Sequence, residues 1–305
     1  MGFFALLLVL AADGPADTLG RKMLPVYLKE VEAYSLAVES APKKPLELNK
    51  EPVFEWSNPI RNGGQQGVVF VWLHDGRPAA LSCIFSAPAP QFPDGRRITH
   101  ESHALDPEKL VVTRDAWNQW KPEAGLDRAE IADAGTPADA PGARLVQMRK
   151  IAQEFTGHAT DRDRKQWSLR LLPAPLYRYP AAMIGVVDGA VFALVSEAGT
   201  DPEVLLVIEA RDEGGKKKWE YACGRFSDWE LRVQRRDKEV FSSVPGEENP
   251  FHHDPKHLYR TYADKIVATD GRLLARIRQS DQRVYGEIVP VEEKSPPARP
   301  QEDRR

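Results

Sequence analysis

The chain has 305 residues, of which 42% are hydrophobic and 29% are charged, and its formal net charge is −3. This composition is that of an ordinary globular protein and excludes a collagen-like or disulfide-dense chain. The lack of a basic excess argues against a nucleic-acid-binding protein. At about 100–200 residues per domain, the length predicts about two domains.

An apolar run, FFALLLVLAA, occupies residues 3–12. It is too short to cross a bilayer as a helix, which needs about 20 residues. Small residues at 12–14 suit a cleavage site, although no Lys or Arg precedes the run. We therefore expect residues 1–18 to be an export signal and the protein to be periplasmic or extracellular. No later stretch is apolar enough for an integral membrane segment.

Cys83 and Cys223 are the two cysteines of the chain. In an exported protein they would form one disulfide, worth about 4–5 kcal/mol in the chain-entropy model. Two buried, free thiols in strands fit the sequence equally well. Both interpretations stay open at this point.

The most informative signal is an internal repetition, in which two stretches carry the same residue types in the same order. Each stretch begins with apolar residues at spacings of three and four, which predicts an amphipathic helix. In the first helix these are Leu24, Tyr27, Leu28, Val31 and Tyr34, and in the second they are Leu145, Met148, Ile151, Ala152 and Phe155. The matching residues beyond the helices are Leu46 and Leu169, Leu48 and Leu171, Pro52 and Pro175, Trp56 and Tyr179, and Glu101 and Glu220.

Turn signals and apolar runs define the strands that follow each helix. Asp75-Gly76 lies between Val68–Leu73 and Ala79–Phe85, an arrangement typical of a two-residue hairpin. Val68–Leu73 and Ala190–Val195 are continuously apolar, which predicts strands covered on both faces. We therefore predict an α+β fold of two tandem pseudo-repeats, each with one helix and about five mostly antiparallel strands. The two sheets pack together or form one shared sheet, with the helices outside.

Composition divides the chain further. A stretch rich in Pro, Ala, Gly and Asp predicts a linker, and a polar stretch with three prolines predicts disorder. We also expect a short helix at Leu258–Val267 and a strand at Leu273–Ile277. The predicted parts are a signal-like segment (1–18), a first module (19–120), a linker or long loop (121–143), a second module (144–245), a C-terminal extension (246–291) and a disordered tail (292–305).

Four strings carry a resemblance to other proteins: DGRPAAL (75–81), HESHAL (100–105), LRLLPAPLYRY (169–179) and GTDPE (199–203). They resemble a family of exported bacterial proteins to which no activity is assigned. The resemblance spans roughly residues 20–245. It implies export, but it implies no substrate and no catalytic residue.

His100, Glu101 and His103 are candidates for chemistry in a strand-like segment. Alternate residues of a strand share a face, so the two histidines cannot bind one ion together without a bulge. If the modules face each other, Glu101 and Glu220 would form a carboxylate pair about 5–9 Å apart, as in most glycosidases. The candidate catalytic residues are therefore Glu101, Glu220 and His103, against the alternative of satisfied histidines and outward glutamates.

A histidine-rich segment contains His252, His253, Asp254 and His257. Imidazole and carboxylate groups are competent ligands for zinc or similar ions. The alternative is a solvated loop with adventitious affinity for a divalent metal.

Trp117 and Trp120 lie at the edge of the predicted linker, with Asn118 and Gln119 between them. Exposed aromatic rings beside amides stack on sugar rings or on a peptide, which makes these tryptophans candidate ligand-binding residues. The alternative is that they close one end of the core.

Common nucleophile and phosphate-loop motifs are absent from the sequence. We therefore favour an exported, non-catalytic protein that binds a protein or a glycan and needs no cofactor. The alternative is an extracellular hydrolase that uses Glu101 and Glu220, or the histidine-rich segment with a metal. A pocket that collects His or Glu side chains from both modules would favour the enzyme, and a filled core would favour the binding protein.

Overall fold

The computed structural model describes residues 15–114, 119–123, 125–180, 185–244, 256–278 and 286–291. Strands take up 56% of these residues and helices 12%, in three antiparallel sheets that include a half-barrel. The predicted α+β class with one helix per pseudo-repeat is therefore wrong. The strands are longer than predicted, and segments expected to be linker or helix add further strands. The internal repetition itself stays a prediction.

Two α-helices, α1 (Pro15–Glu32) and α2 (Pro141–Ala152), and one 3₁₀ turn (Arg61–Gly63) are described. The strands are β1 (Ser35–Val38), β2 (Glu47–Asn58), β3 (Gln65–His74), β4 (Arg77–Pro88), β5 (Gly95–Ala104), β6 (Leu110–Thr113), β7 (Gln119–Trp120), β8 (Arg128–Glu130), β9 (Phe155–Thr160), β10 (Gln166–Leu171), β11 (Tyr177–Pro180), β12 (Val186–Ser196), β13 (Pro202–Glu213), β14 (Lys216–Arg225), β15 (Glu230–Arg235), β16 (Lys238–Ser243), β17 (Tyr259–Ala268), β18 (Leu273–Arg278) and β19 (Glu287–Pro290).

The two helices bury part of the apolar stripes that the sequence predicts. In α1, the predicted Tyr27 and Val31 are fully buried, together with Met23, which was not predicted. Leu24 and Leu28 are only half-buried, and Tyr34 lies beyond the end of the helix. In α2, Met148 is fully buried in the same way. Phe155, which continues the predicted pattern, lies in β9 because α2 ends three residues earlier.

The first large sheet has seven strands in the order β19-β18-β17-β5-β4-β3-β2. Its β3–β4 hairpin turns at Asp75 (φ +48°) and Gly76 (φ +81°), as expected for a two-residue hairpin. β17 occupies most of the segment predicted as a short helix, so that prediction is wrong. Pairing with β5 from Tyr259 to Ala268 satisfies its backbone groups and overrides its local helical pattern.

The second large sheet has nine strands in the order β16-β15-β9-β10-β12-β13-β14-β8, with β11 also paired to β12. The segment predicted as a linker contributes β8, which pairs with β14. A third, small sheet has the order β1-β6-β7.

Three apolar layers separate these elements. The first lies between α1 and the seven-stranded sheet and includes Phe70, and the last lies between α2 and the nine-stranded sheet and includes Phe192. The middle layer lies between the two sheets and contains Val69 and Val191. Alternate residues of β3 and β12 thus enter different layers, which confirms the prediction that these strands are covered on both faces.

The two cysteines lie in different layers and are both free and buried. Cys83 packs between the two sheets, whereas Cys223 packs on the α2 side of the nine-stranded sheet. The disulfide that we considered is therefore not present in this structure.

Neither helix in the described ranges combines the length and the apolar character that a membrane-spanning helix requires.

Candidate ligand-binding site

A cavity of about 490 Å³ lies between the seven-stranded sheet and three loops of the nine-stranded sheet. The loops connect β9 to β10, β12 to β13 and β14 to β15, and they lie at the same end of that sheet. The volume falls in the range of roughly 300–1,000 Å³ that is common for small-molecule sites.

Aromatic side chains form much of the cavity wall. Trp56 and Phe85 of the first sheet approach with ring centroids 5.4 Å apart. Across the cavity, Trp167 and Trp229 stack at 6.2 Å with an angle of 18° between the rings. A cation lies over each of these two tryptophans: Arg61 is 3.8 Å from the Trp229 ring centroid, and Lys165 is 3.5 Å from that of Trp167.

Arg61 ties the two sheets together on the cavity floor. Its Nη1 lies 3.0 Å from Oδ2 of Asp201 and 3.2 Å from Oε1 of Glu203, and its Nη2 lies 2.6 Å from Oδ1 of Asp228. The 3₁₀ turn positions this side chain because Oδ1 of Asn58 accepts a hydrogen bond from the backbone N–H of Arg61. One guanidinium therefore serves three carboxyl groups.

These carboxyl groups differ in their proton affinity. Burial raises the pKa of Glu203 to about 7, although the positive charge of Arg61 opposes the shift. Burial alone would also raise the pKa of Asp228. The positive charges of Arg61 and Arg162 outweigh burial and hold this pKa below its ordinary value. An ionised carboxylate that lines the cavity, Asp228, thus lies close to a fully buried carboxyl group beneath it, Glu203, which is protonated below about pH 7.

Glu101 of β5 lines the cavity from the opposite sheet. The hydroxyl of Tyr259, on the neighbouring strand β17, donates a hydrogen bond to Oε1 of Glu101. Burial raises the pKa of Glu101 well above its ordinary value, while Tyr259 and Arg61 act in the opposite direction. Glu101 therefore keeps its proton to a higher pH than an exposed carboxyl group does, and it lines the space where a ligand would lie.

Glu220 and His103, the other sequence-derived candidates for catalysis, lie elsewhere. Glu220 is held in the second sheet by Lys218 at 3.0 Å and by Arg211 at 3.5 Å, and it does not line the cavity. His103 is buried in β5, where its Nδ1 donates to the carbonyl of Ala104 at 2.7 Å. Burial lowers the pKa of His103 to about 4, so its imidazole is neutral at physiological pH.

Of the other predicted site residues, the structure describes Trp120 and His257. Trp120 is buried in the layer beneath α1, and its Nε1 donates to the carbonyl of His257, so its ring is not exposed for a ligand. The side chain of His257 is exposed. Trp117, His252, His253 and Asp254 lie outside the described residues, as do the apolar run at 3–12 and the tail at 292–305.

Two groups of described residues combine a histidine with two carboxylates. In the first, Nε2 of His100 lies 3.3 Å from Asp264 and 3.7 Å from Glu30. Arg114 ion-pairs with both carboxylates, and Lys265 lies 2.7 Å from Glu30. The protein's own cations therefore neutralise this group, and no divalent ion is needed to do so.

In the second group, His74 and Asp106 form a hydrogen bond of 2.9 Å between Nδ1 and Oδ2. The other oxygen of Asp106 accepts the backbone N–H of Glu108 at 2.8 Å. Ser40 donates to the Glu108 carboxylate. These contacts give the second group a structural role: they connect the β3–β4 turn to the segment before β6.

No protein-family model, no curated protein and no solved structure matches this chain. The resemblance to exported bacterial proteins therefore stays a prediction, and the site has to be interpreted from its own geometry.

The sequence-based predictions included Glu101 but missed most of the network around it. Arg61, Glu203, Asp228 and Tyr259 were not candidates, because none belongs to a recognised motif. One signal was present: Glu203 is followed by the apolar run Val204–Ile208, which predicts a buried carboxyl group needing a partner. The identity of that partner depends on how the two sheets face each other.

Proposed function

We propose that this is an exported, non-catalytic binding protein whose cavity takes a small hydroxyl-rich ligand, of which a mono- or disaccharide is the best-fitting class. The observation that carries the proposal is the cavity itself, in which aromatic side chains and carboxyl groups from both sheets face one space. Ring faces pack against the C–H surfaces of a sugar, and carboxyl groups accept hydrogen bonds from its hydroxyls.

The charges that line the cavity argue against an anionic ligand. Its carboxyl groups belong to Glu101, Asp161, Asp163, Asp201 and Asp228, whereas its guanidinium groups belong to Arg61, Arg97 and Arg162. Arg61 is fully engaged by its three carboxyl partners, so its charge is not free for a ligand. The acceptors therefore outnumber the cations, which favours a ligand that donates hydrogen bonds.

Calorimetric titration with a panel of mono- and disaccharides tests this proposal. We expect saturable binding that weakens about tenfold in Glu101→Ala, because that change removes the carboxyl group and its hydrogen bond to the ligand, worth about 1.5 kcal/mol. Glu220→Ala is the matched control, since Glu220 lies outside the cavity, and it should bind as the wild type does. Trp167→Ala should also weaken binding, since it removes part of the wall.

Absence of saturable binding to every member of the panel by the folded wild type would remove the saccharide class. Equal weakening by the Glu101 and Glu220 variants would show that binding takes place away from the cavity.

A second function is hydrolysis of a glycoside, because the cavity collects carboxyl groups from both sheets, the arrangement that we expected of an enzyme. One further observation favours it. Glu101 has a raised pKa and Asp228 a lowered pKa in the same cavity, which is the combination expected of a proton donor and an ionised base. In a hydrolase of this kind, the two carboxyl groups would be Glu101 and Asp228. The pair expected from the sequence was Glu101 and Glu220. Glu220 has its own ion partners outside the cavity.

Chromogenic aryl glycosides distinguish the two functions. If the protein is a hydrolase, the wild type releases the aryl alcohol, and Glu101→Gln abolishes turnover while ligand binding persists. Binding of a saccharide without turnover of the matching aryl glycoside would leave the binding protein as the function.

A further inference from the structure

A row of side chains across the seven-stranded sheet lines the cavity from one edge of the sheet to the other. Phe85, Thr99 and Ala263 stand at directly paired positions of β4, β5 and β17, and Ile277 of β18 pairs with Ile288 of β19. At about 4.8 Å per strand, the distance from β2 to β19 is roughly 29 Å along the sheet. The members of the row that line the cavity are Trp56, Phe85, Thr99, Ala263, Ile277 and Ile288.

The two ends of this row differ in chemistry. Near β2, Arg61 and the loops of the nine-stranded sheet supply charged groups. At the other end, the row consists of Ala263, Ile277 and Ile288, which together form what we call the apolar end. Arg97 also lines the cavity, from β5, and the methylene stem of an arginine adds to apolar surface.

The apolar end is not covered by the nine-stranded sheet. The middle apolar layer joins the two sheets over β2, β3 and β4, and no described residue of β17, β18 or β19 belongs to it. Ala263 packs instead on a separate small cluster that includes Ile266 and Ile277. Ile288, on the edge strand, remains 38% exposed. This part of the cavity wall is therefore open to an apolar group from outside.

Exposed apolar side chains are concentrated at the cavity. Among the described residues, five large hydrophobic side chains are exposed, and two of them, Ile60 and Ile288, line this one cavity. Apolar surface that stays in water beside a concave site is typical of a surface that a ligand covers.

We propose that the ligand is an amphipathic glycoside, whose sugar lies beside Glu101 and whose alkyl or aryl aglycone lies on the apolar end. This inference rests on the proposed function and adds the aglycone to it. A sugar alone would leave the exposed part of Ile288 in water, whereas an apolar aglycone removes it from water. β5, which carries Glu101, is three strands from β19, or roughly 14 Å at about 4.8 Å per strand, so one ligand can reach both groups.

Calorimetric titration with the methyl and hexyl β-glucosides and β-galactosides tests the inference, at concentrations where none forms micelles. Each fully buried methylene strengthens binding by about fourfold, so we expect a hexyl glycoside to bind at least about tenfold more tightly than its methyl counterpart. 1-Hexanol, which lacks the sugar, should bind at least about tenfold more weakly than the hexyl glycoside.

Two variants at one position locate the alkyl chain. Ile288→Asn should reduce the ratio of hexyl to methyl affinity by at least about threefold, because it replaces apolar surface at the end of the row. Ile288→Ala is the milder second variant, in case the first fails to fold. Val291→Asn is the matched control, since Val291 is 45% exposed just beyond β19 but does not line the cavity. It should keep the wild-type ratio.

Equal affinities for the methyl and hexyl glycosides would overturn the aglycone site and leave the saccharide proposal standing. A hexyl gain that the folded Ile288 variants leave intact, or that Val291→Asn lowers equally, would also overturn it, because the chain would then lie elsewhere. If 1-hexanol binds as tightly as the hexyl glycosides, the sugar contributes nothing, and both proposals fail. Both also fail if no glycoside and no member of the sugar panel binds.

Discussion

Arg61 and Glu203 approach within 3.2 Å, although Arg61 follows β2 of the first sheet and Glu203 lies in β13 of the second. This contact joins the two sheets at the floor of the cavity. Glu203 is fully buried and Arg61 is 14% exposed, so the pair is largely shielded from solvent. Its geometry therefore affects both the stability of the fold and the shape of the candidate site.

Removal of Arg61 should strongly destabilise the protein. In Arg61→Gln, the carboxyl groups of Asp201, Glu203 and Asp228 lose their shared cation, and an uncompensated buried charge typically costs about 3–5 kcal/mol. Urea unfolding monitored by circular dichroism measures the loss. The exposed Arg170→Gln serves as control and should change the free energy of unfolding by less than about 0.5 kcal/mol. Similar values for both variants would contradict the structural role of Arg61.

Glu203 should make stability depend on pH. Its pKa rises from 4.5 in the unfolded chain to about 7 in the folded protein. Between these values the folded state binds more protons than the unfolded state, so stability falls as pH rises from 4.5 to 7 and then levels off. The size of this contribution is on the order of 3 kcal/mol.

Urea unfolding at a series of pH values checks this dependence. Glu203→Gln cannot ionise, so it should lose less stability than the wild type between pH 4.5 and 7. The exposed Glu51→Gln should follow the wild type throughout. Parallel pH curves for the wild type and Glu203→Gln would refute the raised pKa.

The two thiols should be unreactive in the folded protein and reactive after unfolding. Burial raises the pKa of Cys223 to about 12 and that of Cys83 well above its ordinary value, so the thiolate needed for reaction is scarce. Ellman's reagent at pH 8 should label two thiols in denaturant without reductant and neither thiol rapidly in the native state. Failure to label any thiol after unfolding would instead indicate the disulfide.

Gly67 should not tolerate a side chain, because β3 and β4 approach closely beside the cavity. A Cβ at this position would lie 2.3 Å from Cβ of Phe85. We therefore expect Gly67→Ala to destabilise the protein by about 1–3 kcal/mol, the usual cost of overpacking. In Gly20→Ala, the new Cβ meets nothing within 4 Å, and the higher helix propensity of Ala should stabilise α1 by up to about 1 kcal/mol. Chemical denaturation of both variants measures the difference, and equal effects would contradict the close approach.

Local patterns were sufficient for several elements of the fold. The predicted apolar positions Tyr27 and Val31 are buried where α1 packs on a sheet, and the turn at Asp75-Gly76 defines the β3–β4 hairpin. These features depend on residues that are neighbours in sequence, where periodicity and backbone preference decide the outcome. The same reasoning was wrong for Leu258–Val267, whose conformation depends on pairing with β5.

Residue patterns were enough to identify the apolar strands, their coverage on both faces, the two helices and Glu101 as a candidate residue. The mainly β class, the separation of Cys83 from Cys223 and the partners of Glu101 became clear only from the way distant segments pack together. Tyr259 reaches Glu101 from a strand far along the chain, and Arg61 reaches Glu203 from the opposite sheet. Such pairs leave no local pattern, because a buried charge constrains only the presence of a partner and not its position in the sequence.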